Sequence, residues 1–260
     1  MTPVRLHPFE AIDNFRDFGG YPTRDGRHVR TGRLYRSAHH ARMTDSDLEK
    51  LAGYGINAVV DLRRPVERQR QPSLRPQGFA GDVIENDLDA HGEAPHITFL
   101  KTSDLTPESG RQFMLETYGR MPFAPTYHDL FKRYFETLGA SDGAVVVHCA
   151  AGKDRTGLLV ALTHHLLGVS RDDMMADYML TNAAVDLEQL APSFAKQIEA
   201  MSGRKPSEDA VVAFMGVEPG YLEAAFAAID LRHGSIDNYL HQVIGVDEVL
   251  RLRIIERLTH

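Results

Sequence analysis

AVVVHCAAGKDRTGLLVALTHHLLG, residues 144–168, runs through three kinds of segment without a break. Ala144–Val147 is a continuous apolar run, which suits a strand buried on both faces of a parallel sheet. A short loop with Gly152 follows, and then Thr156–Leu167, apolar almost all round, reads as a helix packed inside the domain. The chain's single cysteine, Cys149, stands where the strand hands over to the loop. Open α/β sheets bind ligands beyond the carboxyl ends of their strands, so that position is the first place to look for function.

Working outward, short β-rich runs alternate with helical patterns. RLYRS (33–37), NAVVDLR (57–63) and GDVIEND (81–87) read as strands. The segment between the first two reads as a helix, with Thr44 and Asp47 at capping-box spacing and Gly53 and Gly55 at its end. PTYHDLFKRYFETLG (125–139) shows an apolar face at Leu130, Phe131, Tyr134, Phe135 and Leu138. RDDMMADYMLTNAAVDL opens with acidic residues that favour a helix N-terminus, and the chain ends in helical packing material. The expected fold class is α/β: a mainly parallel central sheet flanked by helices on both faces, in one domain over residues 1–260. Residues 88–124 show little periodicity and are expected to be a long loop over the site. Residues 186–216 read as a helix, a turn and a second helix, which either pack on the core or form a helical lid inserted over the site.

Composition narrows the function. One cysteine excludes an internal disulfide, and the N-terminal segment lacks the apolar core of a signal peptide, so a cytoplasmic location is the default, with export without a cleavable signal left open. No apolar stretch approaches the ~18 residues that a membrane span needs. The net charge of −7 argues against a nucleic-acid partner, and an anionic substrate would need a local positive site.

The loop supplies one. A buried strand, a glycine and a helix beginning near Arg155 bring successive backbone N–H groups together as an anion-binding nest, which suits phosphate. A Walker loop is excluded, because its first glycine would fall on Val147 and its hydroxyl residue on Asp154. Within the nest the helix dipole, Lys153 and Arg155 favour thiolate at Cys149; a depression of ~3 units corresponds to about 4 kcal/mol of electrostatic preference. Arg155 offers a planar fork for two phosphoryl oxygens, and Thr156 could donate to the sulfur. The predicted chemistry is phosphoester hydrolysis through a cysteinyl-phosphate, with no cofactor and no metal. The backbone of Ala150, Ala151 and Gly152, with Lys153, Thr156 and Arg155, would bind the phosphate.

HCAAGKDRTG resembles the phosphate loop of the protein tyrosine phosphatase superfamily, in the Gly-Lys-Asp-Arg form of a bacterial tyrosine phosphatase family. NFRDFGGY (14–21), TGRLYRSA (31–38), VVDLR (59–63) and GSIDNYL (234–240) extend the likeness over most of the chain, with Phe18 where leucine is common. The resemblance implies Cys149 as nucleophile, Arg155 as phosphate clamp, functional roles for Lys153 and Asp154, and a phosphorylated protein or a phosphoinositide as substrate partner. Conventional members take their general acid from a Trp-Pro-Asp loop, and this chain has no tryptophan. Asp154 is the leading acid, with Asp87 and Asp89 as alternatives at the same end of the sheet.

Other features stay open. Arg63, Arg64, Arg68, Arg70 and Arg75 cluster after the VVDLR strand; they form a solvated face, or else Arg63 and its neighbours read a second phosphate. His148 would tune the thiolate or fill the strand end. The pairs His39-His40 and His164-His165 point apart and complete no metal set. NFRDFGGY reads as a turn in which Gly19 and Gly20 supply positive φ while Arg16 and Asp17 brace the loop. Two other classes compete with the enzyme: a catalytically silent phosphate-binding module, and sulfur transfer through a persulfide on Cys149.

Overall fold

The computed structural model describes residues 5–88, 95–185 and 187–260. Five strands form one sheet: β1 (Arg16–Asp17), β2 (Leu34–Ser37), β3 (Ile56–Asp61), β4 (Asp82–Ile84) and β5 (Ala144–His148). Their spatial order is β1-β2-β5-β3-β4, parallel throughout except for the antiparallel edge strand β1. The expected α/β class holds. The NFRDFGGY segment is corrected in part, since Arg16 and Asp17 pair with Arg36 and Tyr35 as a strand.

Twelve α-helices cover the sheet among the described residues. In chain order they are α1 (Asp45–Ala52), α2 (Pro65–Arg70), α3 (Pro95–Thr102), α4 (Pro107–Arg120), α5 (Pro125–Ala140), α6 (Asp154–Leu166) and α7 (Arg171–Ala184), then α8 (Leu187–Ser202), α9 (Glu208–Met215), α10 (Pro219–His233), α11 (Ile236–Tyr239) and α12 (Glu248–Leu258). None is long and apolar enough by itself to cross a membrane.

β5 lies at the centre of the sheet, and every one of its five residues is buried. Its side chains alternate between two cores, as the period-2 pleat requires. Val145 and Val147 enter the larger core with Leu34, Val60, the apolar residues of α5 and α6, and Tyr221, Leu222 and Phe226 of α10. Ala144 and Val146 enter the smaller one with Phe15, Tyr35, Val59 and Leu51 of α1. Each such valine contributes roughly 1.5–3 kcal/mol by leaving water. The arrangement fixes the carboxyl end of β5, and hence Cys149, against strands on both sides.

α1 starts at the expected capping box, Thr44 accepting from the Asp47 N–H. The expected loop over 88–124 is not what forms. Its residues 95–123 fold as α3, α4 and a short 3-10 turn (Met121–Phe123). The buried positions of α4 are Gly110, Met114 and Tyr118, a single narrow row at intervals of four that includes a glycine, so the apolar stripe is too thin to announce a helix. The pair expected in 186–216 forms as α8 and α9, which share a third cluster with α3: Leu100, Leu105, Ala191, Ile198 and Val211, flanked by Phe99, Phe194 and Phe214.

Candidate active site

Residues 149–153 turn from β5 into the first turn of α6. Gly152 has φ +65°, and a Cβ there would lie 2.3 Å from the Ser37 carbonyl oxygen, so left-handed backbone and close approach both require glycine. The loop's carbonyls are pulled away from its centre by partners behind it. The His39 N–H donates to the Ala150 oxygen at 3.1 Å. Asn14 Nδ2 donates to the oxygens of Ala151 and Gly152 at 3.2 and 2.9 Å, and Arg36 Nη2 donates to Gly152 at 2.9 Å. Among the described residues, none of the N–H groups of Ala150 to Arg155 donates to another group. Six amides thus stand together without partners at the N-terminus of a 13-residue helix, the arrangement that binds an anion.

Cys149 sits in this turn at 2% exposure. Arg155 is held by Glu67 of α2: Nη1 donates to Oε2 at 2.6 Å and Nη2 to Oε1 at 3.0 Å, while Nη1 also donates to the Leu62 carbonyl at 3.2 Å. A guanidinium carries five N–H groups. Three have partners here, which leaves the Nε and outer Nη2 hydrogens side by side, a fork matched to two phosphoryl oxygens. Burial would raise the Glu67 pKa, but the Arg155 charge and hydrogen bonds outweigh it and hold the carboxyl at about 2. Burial likewise opposes the Arg155 charge, which Glu67 and then the Cys149 sulfur restore, raising its pKa well above the ordinary value.

Asp154 opens α6. Its Oδ1 accepts from Tyr118 of α4 at 2.9 Å and lies 3.5 Å from Lys153 Nζ. Lys153, 7% exposed, donates to the carbonyls of Phe214 at 2.7 Å and Gly216 at 3.0 Å, so the end of α9 rests on the loop. Thr156 Oγ1 is buried with no hydrogen-bond partner and is not bonded to the sulfur. His96, in the first turn of α3, lies within electrostatic reach of Arg155, Glu67 and Asp154; burial first, then Arg155, lowers its pKa.

The loop is braced through Asp177 of α7. Its Oδ2 accepts from Arg36 Nη1 at 2.9 Å, its Oδ1 lies 3.6 Å from Arg16 Nε, and its carbonyl accepts from Arg16 Nη2 at 2.9 Å. Arg16 also bonds Asn14 Oδ1. Arg16 therefore does brace the loop, through Asn14, while Asp17 accepts from the Gly19 and Gly32 N–H groups and orders the turn. Gly20 has the expected positive φ; Gly19 does not, and is required because a Cβ would strike the Arg30 carbonyl at 2.2 Å.

These positions leave Cys149, Lys153, Asp154, Arg155 and Thr156 together. They do not bring Arg63 into the site. Its guanidinium is 2% exposed and turned to Asp61, the Gln71 carbonyl and Ser73, so the expectation that it reads a substrate phosphate is withdrawn. Asp87 faces solvent and accepts from Arg68 at 2.5 Å, while Asp89 lies outside the described residues. His148 makes no bond to the sulfur. Its ring stacks on His40 at 4.5 Å, with Nε2 3.6 Å from Asp61. Asn14, Arg36, Glu67, Tyr118, Asp177 and Tyr178 were not singled out from the sequence. Asn14, at φ +59°, and Arg36 lay within motifs already noted, and Asp177 and Tyr178 within a helical stretch, but nothing local ties any of the six to the loop.

The sequence profile of the tyrosine phosphatase family matches residues 7–260. The chain belongs to this family. A candidate tyrosine-protein phosphatase of Cupriavidus necator is 35% identical over 249 residues, covering 94% of this chain and 86% of that protein. The triple specificity protein phosphatase PtpB of Mycobacterium tuberculosis is 31% identical over 268 residues, covering 92% and 95%. A tyrosine-protein phosphatase of Nostoc commune is 27% identical over 226 residues, covering 84% and 72%. This tyrosine phosphatase family member is thus a phosphatase that acts on phosphorylated substrates, with its α/β sheet and its loop at residues 148–157 arranged as described.

Proposed function

We propose that this phosphatase hydrolyses phosphotyrosine through a cysteinyl-phosphate intermediate formed on Cys149. The nest of six unpartnered amides around Cys149, closed by the Arg155 fork, is the observation that carries the reading. A phosphoryl group seated there would meet, with its equatorial oxygens, N–H donors whose carbonyl sides are already tied down. Little reorganisation remains when the charge of the transition state develops.

In the first step the Cys149 thiolate attacks phosphorus in line, the S–P bond forms and the P–O bond to the tyrosyl oxygen breaks. Asp154, protonated on Oδ2, gives its proton to that oxygen. In the second step the Asp154 carboxylate takes a proton from water, water attacks phosphorus, and the thiolate leaves. Thr156 Oγ1 is within the same buried turn and would steady the departing sulfur. Two observations favour Asp154 over Asp87: it stands in the loop itself, and Asp87 is turned to solvent with Arg68.

The mycobacterial relative is named a triple specificity protein phosphatase, which favours activity here beyond phosphotyrosine; phosphoserine, phosphothreonine and phosphoinositides are the further substrates to test. Lys153 is the cation within the loop suited to a further phosphate, once freed from the carbonyls of Phe214 and Gly216. We read α8 and α9 as a cover whose end is latched by that lysine.

The test is hydrolysis of p-nitrophenyl phosphate and a phosphotyrosyl peptide in EDTA by the wild type, Cys149→Ser and Asp154→Asn. Turnover that survives EDTA, vanishes with Cys149→Ser and falls more steeply on the peptide than on p-nitrophenyl phosphate with Asp154→Asn is expected. No wild-type turnover would sink the covalent mechanism and put a silent phosphate-binding module first.

A further inference from the structure

The environment of Asp154 contains two buried tyrosines that the sequence-based reading did not reach. Tyr118 comes from α4, the helix that stands where a loop was expected, and is fully buried. Tyr178 comes from α7 and is 1% exposed. Their hydroxyl oxygens are 2.7 Å apart, and Tyr118 lies 2.9 Å from Asp154 Oδ1.

Proton counting fixes the direction of this chain. A carboxylate accepts only, so the single Tyr118 proton goes to Asp154. The Tyr118 oxygen must then accept from Tyr178. Burial, followed by the Asp154 charge, pushes the Tyr118 pKa well above its ordinary value, so it remains a neutral donor at any working pH. Gly157 makes room for the second ring: a Cβ on it would lie 2.9 Å from Tyr178 Cε2.

We propose that Tyr118, backed by Tyr178, is a positioning residue for the general acid, fixing Oδ1 of Asp154 so that Oδ2 is the oxygen presented to the leaving group. The proposal rests on Asp154 being that acid. Oδ1 has two neighbours, the Tyr118 hydroxyl and Lys153 Nζ, while Oδ2 has no hydrogen-bond partner among the described residues. The proton that moves to the ester oxygen as the P–O bond breaks therefore sits on the unengaged oxygen.

The roles separate in a leaving-group series. Tyr118→Phe keeps the ring and its packing and removes only the hydroxyl. For phenyl phosphate, a poor leaving group that needs the acid, kcat/KM should fall ~10-fold, and for p-nitrophenyl phosphate less than ~2-fold, a fraction of the 10²–10⁴ that general acids supply. Tyr178→Phe should produce the same pattern, smaller. In an Asp154→Asn background Tyr118→Phe should add nothing further to the leaving-group dependence.

An equal loss on both esters would mean that the hydroxyl only supports the fold, and would overturn the proposal. No loss on either ester would overturn it too. If instead Asp154→Asn itself shows no leaving-group dependence, the assignment of the acid fails and the positioning role falls with it. That outcome is distinct from a normal Asp154→Asn response beside a silent Tyr118→Phe.

Discussion

Glu67 Oε2 lies 2.6 Å from Arg155 Nη1, and the same oxygen accepts from the Arg64 N–H at 2.7 Å. One carboxylate from α2 therefore ties the start of its own helix to the guanidinium at the start of α6. It turns the paired Nε and Nη2 hydrogens toward the nest. The clamp is oriented before any substrate arrives, and less entropy is lost on binding.

Glu67→Gln should keep one hydrogen bond to Arg155 and lose the charge. The expected result is a fall in kcat/KM of ~10- to 100-fold with weaker competitive inhibition by inorganic phosphate, since a charge-assisted bidentate pair becomes a neutral one. Glu67 titrates at about 2 in the folded protein, below its ordinary 4.5, so the pairing is complete above about 4.5 and is lost as pH falls through about 2. The acid limb of the wild-type profile at pH 4–6 should therefore not belong to Glu67, as a pH–rate comparison with the variant will report.

Gly152→Ala should disable the loop. The methyl meets the Ser37 carbonyl at 2.3 Å in a left-handed backbone, and neither atom can give way without shifting β2 or the nest. Loss of ~2–4 kcal/mol of stability, read by urea denaturation, or turnover reduced beyond ~100-fold in a folded protein, is the expected outcome.

Asp177→Asn should destabilise the fold by roughly 3–5 kcal/mol, because Arg16 and Arg36 would be left buried without their counter-charge. Burial raises the Asp177 pKa, but Arg16 and then Arg36 override it and hold it at about 2, below the ordinary 3.8. The difference corresponds to about 2 kcal/mol, present above ~pH 4 and lost as pH falls through about 2. The gap between the urea midpoints of wild type and variant should thus be narrower at pH 3 than at pH 6.

Lys153→Met should release the latch between the loop and α9. Amide exchange across Glu208–Met215 should quicken ~10-fold while the β5 amides stay protected, since the two ammonium contacts at Phe214 and Gly216 are the polar link described between them. Unchanged exchange would assign the seating of α9 to the Phe99–Phe113–Phe214 stack alone.

What could be read from the sequence was what repeats with a short period or sits in one contiguous loop. β5, the Thr44–Asp47 cap and the α6 start were legible because burial alternates every two or 3.6 residues and capping acts over three. The helix α4 was not, since its buried row holds only Gly110, Met114 and Tyr118. Arg63 misled because charge at a strand end looks the same whether it faces a ligand or an aspartate two residues back. The partners that shape the site, Glu67 for Arg155, Tyr118 for Asp154 and Asp177 for Arg36, lie 88, 36 and 141 residues away. No local pattern links such pairs; only the topology does.

Cys149 is the chain's single thiol and is 2% exposed beneath the turn it begins. A thiol-selective reagent therefore has one place to react, and the thiol's low exposure makes that reaction sensitive to movement of the packing above it. Followed over time by intact mass, iodoacetamide labelling of the unmodified protein becomes a clock for the opening of the site, with no second cysteine to remove and no dye to attach.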